Sequence, residues 1–437
     1  MNFSTEVKQK LLSIIEEMDA CHWLFTKSPD KDFSRVKKWS FERIMNFMLA
    51  MEGKSLKDEL LQFFDFHNET PSNSSFNQRR AQILPEAFEF LFQEFSHAFQ
   101  NEEAAYKGYR LIACDGSDIC IARNSEDQTT YFQSTPNSKG FNQVHLNAFY
   151  DLCNRTYVDA IIQPARLENE NRAMCDLIDR YKGQTAIFIA DRGYESYNVL
   201  AHAEKRNMYY LIRVKDIHST GILRNLSLPE SKEFDFWKSL TLTRKQTKEI
   251  LTNREKYKFI PSNANFDFLD LQENLFYDLK MRIVRFSLTE NNYECIITNL
   301  PQDQFNTEEI KHLYAKRWGI ETSFRELKYA IGLTHFHSKK LEYIIQEIWA
   351  RMTLYNFCEI ITSAVVVDKS VNRKHAYQLN YTRAIHICRY FLQLKKEEAP
   401  PDVEYLIQHE LLPVRMGRSG PRKVKPHSAV SFLYRIA

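Results

Sequence analysis

Three acidic residues and a short row of cations suggest chemistry before any element is assigned. Asp115 stands in C-D-G-S-D and Asp191 in I-A-D-R-G-Y, each straight after an apolar run and just before a glycine, Gly116 or Gly193. Glu321 stands in Y-A-K-R-W-G-I-E-T-S-F-R-E-L-K, where Tyr314, Arg317, Arg325 and Lys328 recur around it. Carboxylates at strand ends and on an adjoining helix can hold hard divalent cations through oxygen. Two such ions, about 3.5–4 Å apart, activate a water or hydroxyl and stabilise the leaving oxygen of a phosphodiester. Arginine and lysine beside them would hold the flanking phosphates. The same residues have blander readings. A Glu with Arg at i−4 and i+4 forms a solvated ion-pair ladder, and a lone Asp at a strand end is commonly a turn or cap residue. A two-carboxylate hydrolase acting on sugars is a further reading. It needs no divalent metal and leaves the cations beside Glu321 without a task.

The element that must carry Glu321 spans residues 306–332, and its pattern predicts one long helix. Asn306 with Glu309 is a capping box, and Gly332 is a stop. On a helical wheel Tyr314, Arg317, Arg325 and Lys328 fall within about 40° of Glu321. Leu313, Ile320, Phe324, Leu327 and Ile331 form a stripe from about −60° to −120°. Glu326 falls near 140°, where solvent is expected.

The aspartates need a sheet. From Tyr109 the chain reads as an apolar strand meeting Asp115 and then a turn, followed by two more strands with a turn at Asn154. A helix over 170–181, the wholly apolar strand T-A-I-F-I-A ending at Asp191, a helix over 197–206 and the strand Y-Y-L-I-R-V-K come next. Three strands and then alternating helix and strand is the order of a mixed α/β sheet flanked by helices. Sites in such sheets form beyond strand ends. Asp118 competes with Asp115, which is preferred because the strand is expected to stop there. His145 and Asn147 either line the site or take hydrogen-bonded structural roles. Arg192, Arg213 and Lys215 are candidate phosphate contacts.

The flanking regions differ. Residues 1–105 read as helical, with P-S-N-S-S-F-N-Q-R-R placing Arg79 and Arg80 at a helix start suited to DNA. A plain bundle with a basic face is the other reading. Residues 106–216 and 291–340 are expected to form the catalytic core, and 217–290 a β-rich insertion. In that insertion Arg244–Lys248 either touches phosphate or forms a solvated hairpin edge. Residues 341–437 are expected to be helical, ending in a basic tail at 415–426 that could lie along nucleic acid.

Composition narrows the choice. With 11 glycines in 437 residues and no Gly-rich loop, phosphate cradling of that kind is excluded. A net charge of +3 argues against an unstructured basic protein. The eight cysteines form no C-x-x-C pair and read as reduced core residues. His335 and His337 lack partners for a metal site in sequence. No apolar run follows the N-terminal charges and none reaches membrane-spanning length, so a cytoplasmic protein with no membrane partner is expected.

Together these motifs resemble the DDE transposases of bacterial insertion sequences, in the group with the Tyr-Arg-Glu-Lys signature Y-x2-R-x3-E-x6-K. Tyr314, Arg317, Glu321 and Lys328 meet every gap, and the two aspartate motifs look like that group's first and second catalytic aspartates. The resemblance runs from about residue 35 to the basic tail. It implies a ribonuclease H-like catalytic core with a β-rich insertion before the catalytic glutamate. It also implies two Mg2+ (or Mn2+) ions held by Asp115, Asp191 and Glu321, with Tyr314, Arg317 and Lys328 on DNA backbone. Cut-and-paste transposition would follow, by a homodimer holding double-stranded terminal inverted repeats and target DNA in a bacterial, nucleoid-associated setting. A domesticated, inactive DNA-binding relative is the alternative. Whether a hairpin forms stays open, with Trp237 and Trp318 as stacking candidates or core residues.

Overall fold

The computed structural model describes residues 2–35, 38–101, 103–133, 135–217, 219–290, 292–366, 377–395 and 398–413. The basic stretch 415–426 lies outside them. The chain begins with five helices: α1 (Phe3–Ala20), α2 (Phe41–Ala50), α3 (Leu56–Phe63), α4 (Asn73–Arg80) and α5 (Pro85–Ala98). Asn2, Ser40, Ser55 and Ser72 accept hydrogen bonds from first-turn N–H groups, and Pro85 opens α5. Each such side-chain cap contributes roughly 1 kcal/mol. The apolar stripes that set these helices, such as Val7, Leu11, Ile15 and Met18 of α1, are buried.

The central sheet follows: β1 (Arg110–Ile121), β2 (Tyr131–Phe132), β3 (Phe141–Asp151), β4 (Thr156–Pro164), α6 (Glu170–Arg180), β5 (Ala186–Ala190), α7 (Tyr197–Lys205) and β6 (Tyr209–Val214). Strands β4, β3 and β1 run antiparallel, while β5 and β6 lie parallel to β1. A tight turn suffices between β3 and β4, whereas each parallel step needs a helical crossover. The order β4-β3-β1-β5-β6 is ribonuclease H-like. Apolar on both faces, β5 sends Phe188 into one core and Ile187 and Ile189 into another, as a doubly covered strand must.

The insertion comprises β7 (Phe234–Thr243), α8 (Lys248–Thr252), β8 (Tyr257–Phe259) and β9 (Phe276–Thr289), and β10 (Asn292–Thr298) leads out of it. Because β10 pairs with both β6 and β9, the insertion continues the same sheet, which reaches ten strands.

The helix expected over 306–332 is two helices, α9 (Thr307–Lys316) and α10 (Trp318–Tyr329), joined at Arg317. The capping box of Asn306 and Glu309 is present. At the junction the Arg317 N–H donates to the Tyr314 carbonyl (3.0 Å) and the Ile320 N–H to that of Arg317 (3.1 Å). Such three-residue bonds tighten the turn and bend the axis. Gly319 sits against Leu152, whose Cδ2 would be 2.8 Å from an added Cβ, so any side chain there would require Leu152 to shift.

The chain ends with α11 (Leu341–Ser363), β11 (Tyr377–Leu379), α12 (Tyr381–Gln393), α13 (Val403–His409) and β12 (Leu411–Pro413), which pairs with β11. Helix α11 is buried on nearly every face and packs against α1, α2, α5, α12 and β4, so the N-terminal helices share one core with the sheet. Among the described residues no helix is long and apolar enough to cross a membrane.

Candidate active site

Parallel pairing of β1 with β5 runs as far as Cys114 opposite Ala190. The next residues are Asp115 and Asp191, so the two carboxylates leave adjacent strands, about 4.8 Å apart, side by side. Strand β1 does not stop at Asp115, as expected, but continues to Ile121. What stops there is the pairing with β5, while pairing with β3 continues through Asp115 opposite Ala148 and Asp118 opposite His145. Local amides orient both acids: Gly116 N–H donates to Asp115 Oδ1 (2.9 Å) and Gly193 N–H to Asp191 Oδ1 (2.7 Å).

Helix α10 delivers the third acid. The buried Arg317 guanidinium donates to Glu321 Oε1 at 2.8 Å and lies 3.6 Å from Asp115 Oδ2. One cation therefore spans strand and helix, and Glu321 stands beside the aspartates. Burial pushes the Asp115 carboxyl up to about 6; the charges of Asp191 and Glu321 add to this, and Arg317 and the Gly116 N–H oppose it. Behind it, burial holds the Cys114 thiol well above its usual range, and Asp115, Glu170 and Asp191 push the same way.

The remaining candidates divide. Arg192, Lys215 and Arg325 are exposed. Arg213 is half-buried and paired with Glu294 at 3.0 Å. Lys328 Nζ donates to the Asp118 carbonyl at 2.7 Å, and burial lowers its pKa. Tyr314 is largely withdrawn from solvent, with Arg317 5.7 Å from its ring centroid. Arg79 is half-buried, donating to Gln82 (3.0 Å) over the Phe33 ring.

Arg80 corrects the expectation of a DNA contact. It is 0% exposed, 2.9 Å from Glu347, and donates to Gln346 (2.8 Å) and the Tyr343 carbonyl. Phe76 and Arg80 lie four apart on the face of α4 that packs inward, so the spacing itself held the signal. Glu326, expected in solvent, is half-buried and accepts from Tyr355 (3.2 Å), with burial raising its pKa. Neither tryptophan is a core residue: Trp318 is 55% exposed beside Arg317, and Trp237 is half-buried under Lys280.

Glu170 was overlooked. An added Cβ at Gly116 would come 2.6 Å from its Oε1, and one at Gly193 3.2 Å from its Oε2, so this carboxylate lies between the glycines that follow Asp115 and Asp191. Its only signal was position, at a helix start after a strand. His145 Nδ1 lies 2.8 Å from Asp118 Oδ1 and 3.1 Å from Glu168 Oε2, and Nε2 lies 3.2 Å from Glu170 Oε1. Burial opposes its charge, but hydrogen bonds to Asp118 and Glu170 prevail and raise it to about 9.

An all-oxygen set of carboxylates, already spanned by a guanidinium, suits hard divalent cations. Compared with known proteins, residues 106–357 match the family model described as a transposase DDE domain. The match covers more than half of the chain, which therefore belongs to the DDE-domain transposases. Among solved structures it is similar to the piggyBac transposase in a cryo-EM synaptic complex with hairpin DNA, at 10% identity and a TM-score of 0.44, covering 94% of this chain and 84% of that one. A search of curated proteins finds no match.

Proposed function

We propose that this transposase performs cut-and-paste transposition of a bacterial insertion sequence, with Asp115, Asp191 and Glu321 as ligands of two Mg2+ (or Mn2+) ions. The observation that carries this reading is the contact of one guanidinium, Arg317, with both Asp115 and Glu321. It supports the view that acids far apart in sequence serve one pocket. When bound, the ions would activate a water or a 3′-hydroxyl and stabilise the leaving oxygen of the phosphodiester.

The chain's own residues do the rest. The Gly116 and Gly193 amides hold the aspartates in place. Arg317, released from the carboxylates, turns to a flanking phosphate, and Lys328 does the same from its carbonyl partner. Arg192, Lys215 and Arg325 face solvent and track the DNA backbone. Trp318, exposed beside Arg317, is the better placed of the two tryptophans to stack on an unpaired base. The working assembly is a homodimer on double-stranded terminal inverted repeats and target DNA. Residues 1–105 bind DNA, 106–216 with 291–340 cut it, 217–290 form the insertion, and 341–437 make up the C-terminal region with its basic tail.

Cleavage of a duplex bearing the inverted repeats that flank the coding region tests this. Wild type should cut in Mg2+, and Glu321→Gln should bind the ends without cutting. Cleavage by Glu321→Gln rejects the assignment. Binding without cleavage by wild type favours the domesticated relative.

A further inference from the structure

Among the N-terminal helices a polar cleft of about 440 Å3 opens between α4 and the loop that precedes α2. Asp30, Lys31 and Arg35 line one wall, and Gln78, Arg79 and Gln82 the other. Three cations there, Lys31, Arg35 and Arg79, face one acid, Asp30, so the cleft is positive.

The loop is held in shape by its own residues. Asp32 is buried and accepts from the Ser28 N–H (2.9 Å), so the loop's second acid is turned inward and its cations are left outside. Phe33 has a left-handed backbone, with φ at 58°. A bulky residue takes that conformation only where its surroundings hold it. Here the ring packs edge-on against Phe41, 5.9 Å between centroids, and the Arg79 guanidinium lies 5.6 Å from its centre. The Lys27 N–H donates to the Gln82 carbonyl and the Leu84 N–H to that of Phe25, both at 2.9 Å, so the loop is laced to the end of α4. Both walls are therefore set before any partner arrives.

The cations around the cleft are used differently. Lys27 pairs with Glu342, and Lys38 lies 3.6 Å from Glu69. Lys31 and Arg35 are exposed and have no ion pair among the described residues. Helix α4, N-S-S-F-N-Q-R-R, carries no acid. Phe76 and Arg80 point into the core, whereas Ser74 and Gln78, four apart, are exposed on another face. Gln78 both borders the cleft and faces solvent, with its Nε2 3.4 Å from Ser74 Oγ. Cations without counter-ions suit phosphate oxygens. A side-chain amide, which donates and accepts at once, matches the major-groove edge of adenine.

We propose that this cleft seats one backbone strand of duplex DNA, with Lys31 and Arg35 on its phosphates, and that the exposed face of α4 lies in the adjoining major groove with Gln78 reading a base edge. The inference rests on the reading that residues 1–105 bind the transposon ends, and it assigns separate residues to grip and to recognition.

Fluorescence anisotropy of the full chain, on a duplex bearing the terminal inverted repeats and on a scrambled duplex of equal length, tests it across a salt series. Lys31→Ala and Arg35→Ala should weaken binding to both duplexes alike, and each should reduce the salt slope by about 0.9. Gln78→Ala should lower affinity for the repeats about tenfold and affinity for the scrambled duplex far less, so the preference shrinks. All three side chains are exposed, and melting temperatures should match wild type. If wild type prefers the repeats and Lys31→Ala and Arg35→Ala keep its affinity and slope, the cleft is overturned while the DNA-binding reading stands. If Gln78→Ala keeps the full preference, or weakens both duplexes equally, base reading by α4 is overturned. A wild type that binds neither duplex overturns the DNA-binding reading itself, and the cleft with it.

Discussion

Two of the charge clusters among the described residues, one buried and one half-open to solvent, solve opposite problems. Where α4 meets α11, Arg80 pairs with Glu347, His337 contacts Glu347 and lies near Glu59, and Arg351 donates to the carbonyls of Met51 and Glu52. Arg80, His337 and Arg351 face Glu347 and Glu59 there, and the spare donors end on backbone carbonyls. At the end of β1 and β5 the acids Asp115, Asp191, Glu321, Asp118, Glu168 and Glu170 outnumber Arg317, His145 and Lys328. Two carboxyls, one buried and one half-buried, record the difference. Burial pushes both upward, yet Arg80 and His337 overcome it and bring Glu347 down to about 2, while Asp115 stays up at about 6. A cluster whose charges are met inside the fold holds the protein together. One left with excess charge waits for something from outside.

The comparison breaks or sharpens in order of effect. Asp191→Asn should lower strand cleavage by more than ~10²-fold, the scale of losing one charge-stabilising group, with little change in urea-unfolding midpoint. Glu347→Gln should do the reverse. It leaves Arg80 buried without its counter-charge and should cost about 3–5 kcal/mol of unfolding free energy. If Asp115→Asn destabilises as strongly as Glu347→Gln, the two clusters are alike and the contrast is lost.

A smaller effect follows from pH. His337 is raised to about 9: burial opposes its charge, but bonds to Glu347 and Glu59 prevail. A raised histidine contributes stability fully below its unfolded value, about 6.5, and loses it as pH climbs through 9. Glu347, lowered to about 2, contributes above its unfolded value and loses this as pH falls. The stability gap between wild type and His337→Gln should therefore be widest near pH 6 and close by pH 9.5, read from chemical denaturation. The smallest effect belongs to the exposed cations. Arg325→Ala should weaken DNA binding modestly at every sequence and reduce the salt slope by about 0.9.

Much of the architecture was legible beforehand. The wholly apolar T-A-I-F-I-A could only be a strand covered on both faces, and β5 is that strand. The α9 cap was written in Asn306 and Glu309. Other features were hidden for physical reasons. The spacing of Phe76 and Arg80 points Arg80 inward, but its counter-charge comes from α11, far along the chain. The single helix expected over 306–332 divides at Arg317 into α9 and α10, where three-residue hydrogen bonds from the Arg317 and Ile320 N–H groups replace the regular ladder.

What the sequence determined alone was local: helix and strand periods, caps, and the motifs around Asp115, Asp191 and Glu321. These depend on near neighbours in the chain, whose geometry the backbone itself dictates. Which acids meet was a tertiary decision. Register between β1 and β5 sets the aspartates side by side, Arg317 ties Glu321 to them, and pairing of β1 with β3 turns His145 toward Asp118. Electrostatic partnership depends on distance in space, and only the folded chain sets that distance.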